Sequence, residues 1–204
     1  MNASMLPRHA VIDDFLPDDS AQALLDHALA NKPLFEPASV REGGAYRIDQ
    51  VHRLAYATPD LGPARCAFTA AVDAHADRLC RAVGLEPFPV AAWDIEMAAH
   101  RDGGHFHDHI DTMTAGNRVA RLGDRVISLV YYLHRSPPGF TGGELAIRPF
   151  IGDAEGVRIA PRHNRLVAFP SFARHAVEET RVPGDAWDDA RFSINCWLLR
   201  ASAP

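Results

Sequence analysis

Apolar positions in the first part of the chain recur at helical spacing. Leu24, Leu25, Ala28 and Leu29 form one stripe, preceded by Pro17-Asp18-Asp19-Ser20, residues that suit a helix start. Phe68, Val72, Leu79 and Val83 form another, which predicts a helix over about 63–83 with Gly84 in the position of a C-terminal cap. His75 lies beside that second stripe and reads as a packed core residue. Between the two helices, residues 41–59 are polar, include Gly43-Gly44, and read as a loop or short strands.

From Pro87 the texture changes. Runs rich in β-formers cover 90–97, 125–133, 144–150, 165–169 and 191–199. Turn signals divide them: Gly103-Gly104, Ser136-Pro137-Pro138-Gly139, Gly142-Gly143, Gly152-Asp153 and Pro183-Gly184-Asp185. Short strands at this spacing after a helical preface predict a β-sandwich or barrel. The chain is therefore expected to be mainly β with N-terminal helices, and to form a single domain over 1–204. In that division 1–85 is a mostly helical support and 86–204 is the β core that carries any site. No internal repeat or long linker argues for a further division.

Composition narrows the function classes. With 204 residues, 47% of them hydrophobic, the chain is long enough to bury a substantial core. A net charge of -5 and a pI near 6.1 argue against nucleic acid as the main partner. Residues 1–15 contain Pro7, Arg8, His9, Asp13 and Asp14 rather than a secretion signal, and no stretch is long enough to span a bilayer. Cys66, Cys80 and Cys196 form neither a CxxC pair nor an even set, so reduced thiols in a cytoplasmic protein are expected. Histidine is the exception to this plain picture. Four of the eleven histidines, His100, His105, His107 and His109, fall within ten residues, and histidine is the commonest metal ligand.

The strongest candidate chemistry lies in His109-Ile110-Asp111. On a strand, alternate residues share a face, so a His-x-Asp pair can offer an imidazole and a carboxylate to one cation. A later histidine would complete a set of two histidines and one carboxylate, which suits non-haem iron(II) because three coordination positions stay open. Strict alternation places His105, His107 and His109 on one face, so spacing does not choose among them. After His109 the chain offers His134, His163 and His175. His175 follows the apolar run Leu166-Val167-Ala168-Phe169-Pro170, which favours it as a rigidly held ligand.

These residues resemble a known family, the prolyl 4-hydroxylase-like branch of the iron(II)/2-oxoglutarate dioxygenases. Its pattern Tyr-x-x-Gly-x-x-Phe-x-x-His-x-Asp is matched by Gly103, Phe106, His109 and Asp111, with His100 in place of the leading tyrosine. Ser128-Leu129-Val130-Tyr131-Tyr132-Leu133, Gly142-Gly143-Glu144-Leu145, Phe169-Pro170 to His175-Ala176-Val177, and Arg191 to Trp197 follow in the family's order, over roughly 90–200. The resemblance implies a double-stranded β-helix (jelly-roll) core, with His109, Asp111 and His175 holding Fe(II). It also implies 2-oxoglutarate as co-substrate, dioxygen as oxidant and ascorbate as a reductant. Arg191 takes the family's position for binding the buried distal carboxylate, where a guanidinium fork is the apt partner. Tyr132 adds a hydroxyl, and alternation puts Asn195 and Trp197 on Arg191's face, with Phe192, Ile194 and Leu198 on the core side.

The implied activity is hydroxylation of a prolyl or other aminoacyl residue in a protein or peptide. A free amino acid or small metabolite is the alternative substrate. A cupin-like enzyme without 2-oxoglutarate would need a glutamate soon after the His-x-His pair, and none occurs before Glu144. A silent binding module would have lost a ligand or the arginine, and all are present. Residues 112–124, with Arg118 and Arg121 followed by Arg125, read as a solvated loop or a lid. Residues 183–188 read as an inserted surface loop.

Overall fold

β-Branched and aromatic residues build the long strands, and their alternation decides what each face covers. In the computed structural model, which describes residues 6–42, 45–113, 123–151 and 155–201, two antiparallel sheets carry the fold. The larger contains β1 (Ala10–Ile12), β2 (Glu36–Pro37), β6 (Tyr56–Thr58), β7 (Ala92–His100), β9 (Asp124–Leu133), β13 (Arg165–Pro170) and β16 (Arg191–Arg200), ordered β1-β13-β9-β16-β7-β6-β2. The smaller contains β5 (Arg53–Leu54), β8 (His105–His109), β11 (Leu145–Ile147), β12 (Val157–Ile159) and β14 (His175–Val177), ordered β12-β11-β14-β8-β5. Two further strand pairs stand outside these sheets: β3 (Ser39–Glu42) with β4 (Ala45–Ile48), and β10 (Thr141–Gly142) with β15 (Thr180–Arg181). The facing sheets make an open jelly roll rather than a closed barrel.

The helices α1 (Asp18–Ala30) and α2 (Arg65–Ala82) lie where the periodicity predicts. At the start of α1, Pro17 is the cap residue and makes no side-chain bond. Asp18 and Asp19 sit in the first turn, where their charge suits the helix dipole. Both helices pack on the outer face of the larger sheet. Leu24, Leu25, Phe68, Val72 and Leu79 meet Leu129, Tyr131, Leu133, Phe192, Ile194 and Leu198 in the main core. Burying each such side chain contributes roughly 1.5–3 kcal/mol. His75 is at the margin of this core, its Nδ1–H donating to the Ala71 carbonyl at 2.8 Å and its ring edge-on to Phe15. Among the described residues no helix is long and apolar enough to cross a membrane, and the three cysteines are free.

The opposite faces of the same strands point between the sheets. Val130, Tyr132, Val167 and Phe169 from the larger sheet meet Leu145, Ile147 and Ile159 from the smaller. Alternation along β9 and β16 therefore sorts residues cleanly. Phe192, Ile194, Cys196 and Leu198 face the helices, while Arg191, Ser193, Asn195 and Trp197 share the other face.

Three expectations change. The N-terminal stretch holds both helices, but it also supplies six strands, β1 to β6, to the two sheets and the β3–β4 pair. Strands of two to four residues are too short for alternation to show. The 183–188 segment is not simply a surface loop: Trp187 is only 9% exposed, packs edge-on to Phe35 and Phe192, and donates its Nε1–H to the Ala28 carbonyl at 3.1 Å. A large apolar ring with one polar atom fills the gap between α1 and β16. The third concerns β8 and belongs to the site. Gly43-Gly44, Arg118, Arg121 and Gly152-Asp153 lie outside the described residues.

Candidate metal centre

β8 and β14 are neighbours, and their pairing is irregular. His175 is opposite His109, yet Val177 is opposite Phe106, so three residues of β8 span the distance of two on β14. This bulge breaks the alternation. Phe106 and His109 therefore face the interior together, their rings stacked with centroids 3.5 Å apart. The expectation that His105, His107 and His109 share a face is corrected. His105 has its ring nitrogens 2.8 and 3.0 Å from the Gly103 and Val51 carbonyls, and its ring lies 4.6 Å from that of His107. His134 and His163 lie elsewhere, the His134 backbone amide donating to His163 Nδ1 at 3.2 Å and the His134 Nδ1 2.8 Å from the Arg135 carbonyl.

His109, Asp111 and His175 converge. One ligand atom from each lies within 4.8 Å of the others, a spacing one cation can bridge. His109 Nε2 is 3.6 Å from Asp111 Oδ1, and His175 Nε2 is 3.4 Å from Asp111 Oδ2. The backbone sets the tautomers. The Nδ1 of His109 is 2.8 Å from the His107 carbonyl and that of His175 is 2.9 Å from the Ala173 carbonyl. A carbonyl can only accept, so each Nδ1 carries the proton and each Nε2 of the neutral ring offers a lone pair inward. Burial, then the neighbouring His175, holds His109 well below the usual histidine range, so the ring is in its ligating form at neutral pH. Burial would raise Asp111, but His175, His109 and Arg125 outweigh it and keep the carboxylate ionised.

Asp111 follows β8 in a loop pinned to the 171 turn, where the Asp111 and Thr112 amides both donate to the Ser171 carbonyl at 2.8 and 3.0 Å. From β9, Ser128 donates its Oγ–H to Asp111 Oδ2 at 2.6 Å and is 3.0 Å from Ser171 Oγ. Sequence reasoning gave Ser128 no role. Its place in register with Val130 and Tyr132 on the inward face was the available signal.

Arg191 opens β16 and is completely buried. Its guanidinium carbon is 4.8 Å from the Tyr132 ring centroid, and Nη1 donates to His100 Nδ1 at 3.1 Å. Among the described residues its Nε and Nη2 have no partner, nor do Tyr132 Oη and Thr180 Oγ1. Gly143, at φ +71°, makes room for this cluster: a Cβ there would come 2.6 Å from Arg191 Cδ and 2.8 Å from Thr180 Oγ1. A buried guanidinium without a carboxylate, ringed by unsatisfied hydroxyls, matches an anion with several acceptor oxygens. The distal carboxylate of 2-oxoglutarate fits that description.

Asn195 and Trp197 stand nearer the mouth. Asn195 donates to Glu96 Oε1 at 3.0 Å, and the same oxygen accepts from Arg53 of β5. The Arg125 guanidinium covers the Trp197 ring at 3.7 Å and pairs with Asp94. An outer cavity of about 190 Å³ runs from Ser39 and Tyr46 past Arg53, Glu96 and Trp197 to His109 and Asp111. An inner cavity of about 40 Å³ continues from these two residues to His175, Val130, Leu145 and His100. Arg53 and Glu96, which periodicity did not mark, thus flank the way in.

With this geometry in view, comparisons with known proteins are informative. The profile of the 2OG-Fe(II) oxygenase superfamily matches residues 95–199, which include every strand from β8 to β15, most of β7 and nearly all of β16. Over 125 residues, 58% of this chain, it is 29% identical to an uncharacterized PKHD-type hydroxylase of Synechocystis sp.. The chain spans about two fifths of the length of that curated relative, 40%. Among solved structures, a prolyl hydroxylase from Trichoplax adhaerens, determined with a hypoxia inducible factor peptide fragment, superposes with a TM-score of 0.68 at 19% identity, over 95% of this chain and 84% of that one. A Pseudomonas putida prolyl-4-hydroxylase gives 0.68 at 21% identity, over 95% and 94%. These identities speak to the fold, and they place this chain's two sheets in the jelly-roll architecture.

Proposed function

The chain belongs to the 2OG-Fe(II) oxygenase superfamily, and from that premise we propose that it hydroxylates a prolyl or other aminoacyl residue in a protein or peptide. It is a dioxygenase whose family uses Fe(II), 2-oxoglutarate and dioxygen. In this reading His109, Asp111 and His175 hold the iron, and Arg191 with Tyr132 binds the distal carboxylate. Asn195 and Trp197 line the way between that end and the substrate. When bound, the iron and co-substrate supply the oxidising power: 2-oxoglutarate leaves as succinate and carbon dioxide, and one oxygen atom of dioxygen enters the substrate C–H bond.

The protein's own work is positioning and exclusion. The two Nδ1–H bonds to backbone carbonyls orient the imidazoles, and Ser128 orients the carboxylate. Phe106 stacks on His109 and Phe169 packs against His175 at 4.6 Å, which keeps water from the back of the ligand set. The observation that carries the reading is the fully buried Arg191, which forms no salt bridge among the described residues and is reached through His100 from the same inner cavity as the His-Asp-His cluster. The prolyl-hydroxylase folds of the structural neighbours, one of them determined with a peptide, support a peptide substrate. Three free cysteines support a reducing, cytoplasmic setting, and ascorbate is the expected reductant for uncoupled turnovers.

The test is direct. Anaerobic protein with Fe(II) and 2-oxoglutarate is expected to develop a weak visible charge-transfer band. In air it is expected to release succinate with proline-bearing peptides in preference to free amino acids. Absence of both signals overturns the oxygenase reading. Succinate released only with free amino acids or small metabolites overturns the peptide assignment alone.

A further inference from the structure

His100 is the last residue of β7 and lies directly opposite Arg191 on β16. It is 2% exposed, and no role follows for it from the metal centre. Its hydrogen bonds settle its chemistry. A guanidinium has no lone pair, so in the 3.1 Å contact Arg191 Nη1–H donates and His100 Nδ1 accepts. Burial, followed by the charges of Arg191 and Arg53, keeps the ring neutral. The single proton of that neutral ring is therefore on Nε2.

That N–H is buried and has no partner among the described residues. His100 also lines the inner cavity, together with His109, His175, Asn195 and Trp197. A buried donor without an acceptor is unusual and needs an occupant to satisfy it. The neighbouring unsatisfied groups, Arg191 Nε and Nη2, Tyr132 Oη and Thr180 Oγ1, can all donate as well. The guanidinium and imidazole N–H groups can only donate and the two hydroxyls can turn to donate beside them, which defines what is missing: a ligand rich in oxygen lone pairs. Imidazole is suited to this place because it works at both ends. One nitrogen fixes the guanidinium and the other points a donor at the ligand, whereas a cation at position 100 would repel Arg191.

We propose that His100 is a co-substrate-binding residue, with Nδ1 holding Arg191 in place and Nε2–H donating to a carboxylate oxygen of 2-oxoglutarate. The inference rests on reading the site as a 2-oxoglutarate site. The rival role is packing alone, filling the end of β7 beside Gly104, where a Cβ would come 2.9 Å from the His100 Cβ.

Binding without turnover separates the two. The Mn(II)-loaded full chain is titrated with 2-oxoglutarate by calorimetry, for the wild type, His100→Phe and His100→Gln. Glutamine keeps one acceptor and one donor; phenylalanine keeps only volume. Loss of a hydrogen bond to a charged group is expected to weaken 2-oxoglutarate in His100→Phe by about tenfold or more, with Mn(II) affinity little changed. His100→Gln is expected to recover most of the loss. If His100→Phe binds 2-oxoglutarate as tightly as the wild type, or His100→Gln is as weak as His100→Phe, the proposal is overturned. Should His100→Phe fail to fold, the glutamine variant decides by the same criterion of near-wild-type affinity. A wild type that binds Mn(II) but no 2-oxoglutarate refutes the functional reading itself, a result distinct from either of these.

Discussion

Arg191 carries a cost that His100 and the Tyr132 ring offset only in part among the described residues. Its guanidinium is fully buried, burial pushes its pKa down, and two of its nitrogens have no partner among the described residues. Uncompensated buried charge destabilises a protein, and evolution keeps it where a ligand supplies the counter-charge. Arg191→Met is therefore expected to stabilise the apoprotein by roughly 1–3 kcal/mol in urea unfolding while abolishing 2-oxoglutarate binding. A destabilised variant with intact binding would show that the residue is structural. Ser128 makes the complementary case. Its 2.6 Å bond restrains Asp111 Oδ2, so Ser128→Ala is expected to weaken Mn(II) binding by about 10- to 100-fold, and Ser128→Thr to restore it. Equal metal affinity in the alanine variant would count against that role. At this scale the sequence was informative about residues whose chemistry is costly to bury. Arg191 in an apolar strand, and a carboxylate two residues from a histidine, are both conspicuous. Ser128, Arg53 and Thr180 are not, because a serine, an arginine in a polar stretch or a threonine is unremarkable until its neighbours are known.

Elements place those residues, and here the legible part was the regular part. The long strands β9, β13 and β16 read correctly because alternation over six to ten residues sorts the core side from the inward side. The bulge in β8 was invisible, since an extra residue leaves no mark in a run as polar as His105-Phe106-His107-Asp108-His109. The 41–59 stretch reads from sequence only as a loop or short strands, because strands this short show no alternation, yet β5 brings Arg53 from the smaller sheet to Glu96 on β7 of the larger. This pair clasps the two sheets at the mouth. Burial would raise the Glu96 carboxyl, but the charge of Arg53 and the bonds from Asn195 and Arg53 prevail, leaving it below its ordinary value. A lowered folded-state pKa means that the stabilisation is present above the unfolded value near 4.5 and is lost as pH falls through the folded one. Arg53→Ala leaves a partly buried carboxylate with Asn195 as its remaining hydrogen-bond partner and is expected to cost about 1–3 kcal/mol at pH 7, the loss shrinking toward pH 3. Urea denaturation at the two pH values measures it. A loss independent of pH would assign it to packing against Phe106, whose ring lies 5.0 Å from the guanidinium.

At the scale of the whole molecule, the site is divided between the two sheets. The proposed histidine ligands stand on β8 and β14 of the smaller sheet, whereas Arg191, Tyr132 and His100 stand on β16, β9 and β7 of the larger. A metal alone ties together strands that already pair. A co-substrate held at one end by that metal and at the other by Arg191 ties one sheet to the other. Ligands that bind only the native state stabilise it by mass action, by about 2.7 kcal/mol at a hundredfold excess over Kd. Two-step thermal stabilisation is therefore expected: Mn(II) raises Tm, and 2-oxoglutarate raises it further only when Mn(II) is present. In Arg191→Met the first rise is expected to survive and the second to vanish. In Asp111→Ala both are expected to be lost, because the metal end of the bridge is gone. A full 2-oxoglutarate shift in Asp111→Ala would mean that the anion binds Arg191 without the metal. The two sheets would then hold separate sites rather than one.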